Sequence, residues 1–172
     1  MTGKYRVGET ALIVAVPEAE PVVGGLRSRF DPSAEAGVPA HVTILYPFLD
    51  QDRIDEEFLE TFLGAHPSFD VRFTECGRFP GVLFLAPLPN QPFRALTEAV
   101  AARWPEAPPY GGQFAETIPH LTVVDGQEPA VLDEVEAEVA VRLPVVARVS
   151  AVRLLVYDGD RWREKRVFSL RG

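Results

Sequence analysis

Apolar residues in this chain fall into short dense runs separated by segments of helical spacing. Thr10 to Val16 (TALIVAV) and Ala40 to Tyr46 (AHVTILY) are continuous apolar stretches of the kind that form buried strands. Phe69 to Thr74 alternates, with Phe69, Val71 and Phe73 on one face and Asp70, Arg72 and Thr74 on the other. Val82 to Ala86, Pro119 to Val124, Val145 to Tyr157 and Arg163 to Leu170 complete the predicted strands, and Asp158-Gly159-Asp160 predicts a hairpin turn between the last two. Helical spacing is found in Asp52 to Leu63 (Ile54, Phe58, Leu59, Phe62), in Pro92 to Trp104 (Phe93, Leu96, Val100, Trp104) and in Pro129 to Val141 (Val131, Leu132, Val135, Val139). Pro17 to Phe30 opens with a proline suited to a first turn but carries Pro21 and Gly24-Gly25, which are poor helix formers.

The resulting order is β-α-β-α-β twice over, followed by a last strand, and the two halves correspond in sequence. HVTILYPFLD aligns with HLTVVDGQEP, and VRFTECGRF aligns with ARVSAVRLL. One domain spanning 1–172 is expected, with lobe-forming repeats at approximately 10–76 and 80–157 and a final strand over 163–170. Each unit is small for a core of its own, so the pair is expected to pack as two lobes of an α/β (α+β) fold about a pseudo-two-fold axis.

Composition narrows the function. The 172 residues have the apolar and charged fractions of a globular chain, and no apolar run is long enough to span a bilayer. The polar N-terminal residues do not read as a signal peptide, and one cysteine, Cys76, fits a reducing compartment. A cytoplasmic, monomeric protein without membrane association is expected. Lys and Arg number 17 against 25 Asp and Glu, a net charge of −8, which argues against binding long nucleic acid through its phosphates.

There are only three histidines, and two share a motif: His41-Val42-Thr43 and His120-Leu121-Thr122. With 8 threonines in the chain, two of three histidines carry Thr two residues on by chance roughly 1 time in 100 or less often. Each motif falls in the second strand of its repeat, where residues i and i+2 share a face. Strict alternation places His41, Thr43 and Leu45 on one face and Val42, Ile44 and Tyr46 on the other. A lone histidine in an apolar strand is ordinarily a core residue, but a matched pair across a two-fold axis makes an acid–base couple with two hydroxyl donors. One neutral and one protonated imidazole can deprotonate a nucleophile and protonate a leaving oxygen on opposite sides of a phosphorus, while the hydroxyls hold its non-bridging oxygens. A phosphodiester such as a 2′,3′-cyclic phosphate suits that set, with no metal or cofactor. His120 is taken as the base and His41 as the acid, an order that the near symmetry of the motifs does little to fix.

HVTILYPF, PHLTVV and the duplicated element order resemble the two-histidine (2H) phosphoesterase superfamily, in particular its 2′-5′ RNA ligase-like branch. The resemblance covers about Thr10 to Leu170. It implies two mostly antiparallel sheets flanking a central cleft, His41 and His120 as catalytic residues, and Thr43 and Thr122 as phosphate-binding residues. It also implies metal-independent phosphodiesterase or reversible ligase activity on 2′,3′-cyclic or 2′-5′ linkages of small nucleotides or RNA termini.

Other residues have competing readings. Tyr110 and Phe114 lie in the Pro/Gly-rich loop before the second motif, where aromatics can stack on a base or pin the loop. Arg78 can reach a phosphate or form a surface ion pair. His66, just past a helix end, reads as structural. Arg161, Arg163 and Lys165 share a face of the last strand, as an edge strand requires for solubility. Two other functions use the same residues: a non-catalytic nucleotide or RNA-end binding module, and a metallohydrolase with the histidines as ligands.

Overall fold

The computed structural model of the chain describes residues 4–113 and 117–172, so Phe114 lies outside the described residues. Eight strands form two four-stranded antiparallel sheets. The first has the order β2 (His41–Leu45), β1 (Thr10–Ala15), β7 (Ala151–Tyr157), β8 (Trp162–Ser169). The second has the order β5 (Leu121–Asp125), β4 (Val82–Leu88), β3 (Phe69–Phe79), β6 (Val145–Val149). Exchanging β1 with β4, β2 with β5, β7 with β3 and β8 with β6 converts one order into the other. The duplication read in the sequence is therefore present in the topology.

Neither sheet is built from one repeat. β3 of the first repeat joins β4 and β5, while β7 and β8 return to β1. The single long strand expected over Val145 to Tyr157 is two strands, because the chain changes sheets at Ser150. Apolar density could not reveal this, since both halves remain half-buried strands.

The helices cross over in the same manner. α1 (Glu20–Phe30) packs against β5 and α4 (Gln91–Arg103) against β2, so each motif strand is backed by a helix of the other repeat. α1 forms despite Gly24-Gly25 because Val23, Leu26 and Arg27 are buried. Val23 and Leu26 each contribute about 1.5–3 kcal/mol, against about 1 kcal/mol lost per helical glycine. α2 (Pro32–Glu35) is a single turn that the sequence pattern did not predict. α3 (Glu56–Gly64) packs on β8, where Glu56 pairs with Lys165 at 3.0 Å and Glu60 with Arg166 at 2.9 Å. The basic run of β8 is thus partly neutralised by α3. α5 (Pro129–Ala140) covers β3 and β4. One continuous core joins both sheets to the helices, and a smaller cluster of Ala11, Ile13, Val38, Leu155 and Trp162 lies on the other face of the first sheet.

Candidate active site

The smaller cluster forms a wall of a cleft of about 230 Å³ that both histidines and both motif threonines line. β2 and β5 meet across the interface between the sheets. His41 opens β2, and His120 immediately precedes β5. Val42 and Leu121 are fully buried behind them, while the His and Thr side chains stay half-buried at the cleft. The apolar partner at each alternate position is what anchors the motif strand and turns its polar face outward.

Strict alternation fails beyond the threonines. On the first sheet Ile13 is opposite Thr43 and Leu12 opposite Leu45, which passes over Ile44. On the second sheet Phe84 is opposite Thr122 and Leu83 opposite Val124, which passes over Val123. The extra residue is three positions after the histidine in both repeats. A bulge of this kind reverses the facing of every later side chain. Leu45, expected beside His41, is therefore buried in the core, and Tyr46, expected to face away, lines the cleft. Asp125, which stands where Tyr46 stands in the other repeat, lines it too.

The two rings are held alike. Nδ1 of His41 lies 2.7 Å from the carbonyl oxygen of Pro39, and Nδ1 of His120 lies 2.6 Å from that of Ile118. A carbonyl can only accept, so each Nδ1 carries the proton, and in the neutral ring Nε2 is the basic nitrogen. Burial is the largest effect on both rings and lowers both pKa values below the ordinary 6.5, while the carbonyl bond works against it. His41 is lowered to about 4, with a further contribution from the Arg27 guanidinium that Asp31 partly offsets.

Those two residues form an ion pair sealed inside the first lobe. Arg27 and Asp31 side chains are each 3% exposed and 2.9 Å apart. Arg27 also donates through Nη1 to the Val38 carbonyl at 3.1 Å and through Nη2 to Ser33 Oγ at 3.1 Å. Asp31 accepts from the Ser33 backbone N–H at 3.0 Å and its hydroxyl at 2.9 Å. The network fixes the segment that leads into His41, and Asp31, Ser33 and Val38 line the cleft.

His120 has aromatic support instead. Phe79 and Phe84 meet its ring at centroid distances of 5.1 and 5.5 Å. Phe84 lies across Gly77 on the neighbouring strand, where a Cβ would stand 2.5 Å from Phe84 Cζ. Gly77→Ala is expected to displace that ring towards His120, costing about 1–3 kcal/mol of stability and lowering kcat by up to about 10²-fold. Thermal melting and steady-state kinetics of the variant check this. An unchanged kcat would mean that the Phe84 ring does not set the His120 position.

Of the other sequence candidates, Tyr110 lines the cleft and Arg78 does not. Arg78 is tied to α5, with Nη2 2.8 Å from Asp133 and from Glu136. A phosphate role is thus corrected to a surface ion pair, because α5 places two carboxylates over β3. His66 keeps its structural reading, with Nδ1 3.1 Å from the Phe62 carbonyl at the end of α3. Sequence reasoning placed Tyr46 on the wrong face, gave Asp125 no role, and missed Trp162 and the Arg27–Asp31 pair. The pair had a signal in its i,i+4 spacing and in the Asp-Pro-Ser turn that follows. Among the described residues no three His, Cys, Asp or Glu side chains cluster as metal ligands would, and no helix is long and apolar enough to cross a membrane.

A two-lobed, duplicated α+β fold with an H-x-T motif from each half at one cleft defines a two-histidine phosphoesterase fold. Residues 15–161 match the 2′-5′ RNA ligase superfamily, and the chain belongs to that family. Among solved structures, E. coli LigT in complex with 3′-AMP is 16% identical over 96% of this chain and 99% of its own, with a TM-score of 0.63. A structure described as a phosphoesterase is 17% identical over 96% and 99%, also at 0.63. TT0787 of Thermus thermophilus is 20% identical over 95% and 98%, at 0.56. No curated protein matches the chain in sequence.

Proposed function

We propose that the protein is a metal-independent phosphodiesterase that opens 2′,3′-cyclic phosphates, or cleaves related 2′-5′ linkages, of nucleotides or RNA ends. The observation that carries this reading is the matched pair of imidazoles at one cleft, each with Nδ1 committed to a carbonyl and Nε2 left as the working atom. Thr43 and Thr122 flank them as donors to the non-bridging oxygens. Asymmetry in the surroundings favours His41 as base and His120 as acid, the reverse of the order taken from the sequence. Burial and Arg27 hold His41 neutral, ready to accept a proton, whereas His120 has no cation among the causes of its shift.

In this reaction water attacks phosphorus and gives its proton to Nε2 of His41. The bond from phosphorus to the leaving ribose oxygen breaks, and that oxygen takes the proton of protonated His120. The rings end with their protonation states exchanged and are reset by solvent. The same steps with an RNA 5′-hydroxyl in place of water as the nucleophile give ligation, and their reverse, in which the neighbouring ribose hydroxyl attacks and the 5′-oxygen leaves, cleaves the 2′-5′ linkage back to the cyclic phosphate.

A small substrate is supported by the cleft's own lining, which among the described residues carries Lys4 against the carboxylates of Asp31 and Asp125. Among the described residues that line the cleft, no row of cations tracks a long phosphate backbone. Structures of LigT, similar in fold, hold 3′-AMP, NADP+ and ATP. The test is a panel of 2′,3′-cyclic mononucleotides, a cyclic-phosphate-ended oligonucleotide and a 2′-5′ dinucleotide, read by phosphorus NMR with excess EDTA. Turnover of a cyclic mononucleotide in EDTA is the expected result. Tight binding without turnover would make the protein a binding module, and loss of turnover in EDTA would overturn the metal-free mechanism.

A further inference from the structure

The two bulges bring one residue of each repeat into the cleft, Tyr46 five positions after His41 and Asp125 five positions after His120. These two residues break the two-fold symmetry of the site. Tyr46 gives its hydroxyl proton to Glu9 and sets its ring 6.0 Å from that of Trp162. With Ile13, Val38 and Leu155, the two rings make the first-lobe side of the cleft apolar. Lys4 belongs to that side as well, since its ammonium lies 5.3 Å from the Tyr5 ring centre and Tyr5 packs on Trp162 at 5.3 Å. The Asp31 carboxylate on the same lobe is compensated by Arg27. Asp125 is on the other lobe, at the exposed end of β5. Among the described residues its carboxylate has no hydrogen bond or ion pair.

An apolar wall with aromatic rings takes the flat face of a nucleobase. The ribose of a 2′,3′-cyclic phosphate carries its base on C1′, beside O2′, and its 5′-carbon on C4′, beside O3′. With the phosphorus between the histidines and the base on the first lobe, the 5′-carbon is turned to the second lobe, where Asp125 stands. A carboxylate there accepts a hydrogen bond from a 5′-hydroxyl and repels a 5′-phosphate. We propose that Asp125 is a specificity-determining residue: it selects nucleoside cyclic phosphates that end in a free 5′-hydroxyl and disfavours those that carry a phosphate there, whether terminal or linking to a longer chain. The net charge of −8 acts in the same direction. This inference rests on the phosphodiesterase reading and narrows its substrate class to cyclic mononucleotides without a second phosphate.

Three forms of one nucleoside 2′,3′-cyclic phosphate test the proposal: one with a free 5′-hydroxyl, one with a 5′-phosphate, and one with a 5′-dimethyl phosphate triester, which is as bulky as the phosphate but uncharged. In low salt the wild-type protein is expected to turn over the 5′-phosphate with a kcat/KM about 10-fold below that of the triester. Asp125 is exposed, so the gap should narrow as salt is added. Asp125→Asn should bring the two within about 2-fold of each other, and Asp125→Lys should reverse their order. Each ratio is taken on one protein, so a loss of folded material cancels. A 5′-phosphate turned over by the wild type as fast as the triester or faster, or a gap that survives Asp125→Asn, would overturn the role given to Asp125 while leaving the phosphodiesterase reading intact. A wild-type protein inert towards all three would overturn that reading, and this inference with it.

Discussion

Alanine at His41 or at His120 is expected to lower cyclic-phosphate turnover by about 10²–10⁴-fold, the range for losing one acid–base group, with little change in thermal melting. The folded state tolerates the change because each ring is half-buried at a cleft and its Nδ1 bond goes to a carbonyl that water can then reach. The pH profile of kcat/KM separates the two roles. His41 as base acts once it has lost its proton, so activity rises through about pH 4. His120 as acid acts while it holds its proton, so activity falls through a pKa that burial has lowered from 6.5. The wild-type optimum of kcat/KM is therefore expected on the acid side of pH 6.5. A bound phosphodiester anion favours both charged rings, so the kcat profile is expected at higher pH. His41→Ala should remove the acid limb and His120→Ala the basic limb. If the limbs are lost in the opposite order, the acid and base exchange places. If each variant keeps the wild-type rate, the site lies elsewhere.

The duplicated element order, the two H-x-T motifs and their meeting at one cleft were legible because each depends on local pattern. Apolar residues at Val42, Ile44, Leu121 and Val123 fix which face of each motif strand is buried, and alternation carries His and Thr to the other face. What alternation could not carry was Tyr46 or Asp125. The bulges at Ile44 and Val123 insert one residue into a strand whose apolar run continues unbroken, so residue type gives no sign of them. The exchange of β3 and β7 between sheets was hidden for a related reason: Phe69–Phe79 reads as the same amphipathic strand whichever partner it takes. Arg78 shows the converse, a cation near the right strands whose destination was set by the acidic face of α5. The loop ahead of the second motif was marked by its prolines and glycines, yet the left-handed turn at Tyr110 (φ 51°) follows from its anchoring to Tyr46, a contact between repeats.

The largest loss of stability is expected at Arg27. Removing one partner of a buried ion pair costs about 3–5 kcal/mol, because the remaining charge is left without compensation in a poorly polarisable interior. In Arg27→Met the Asp31 carboxylate keeps its two bonds from Ser33 but loses its counter-ion, and the Val38 carbonyl loses its donor. At about 2–4 °C per kcal/mol for a chain of this size, melting is expected to fall by roughly 10 °C. Arg27→Met/Asp31→Leu should recover part of that loss, since an apolar pair removes the unpaired charge. The same substitutions act on catalysis through His41. Arg27→Met deletes a cation that disfavours the protonated ring and leaves an anion that favours it, so the His41 pKa rises from about 4 and the acid limb of kcat/KM moves to higher pH. Asp31→Asn does the reverse, keeping the cation and deleting the anion, and moves the limb to lower pH. Opposite displacements of one limb, with the basic limb unmoved, tie the buried pair to His41 by charge. Equal displacements, or none, would leave the pair with a role in folding alone.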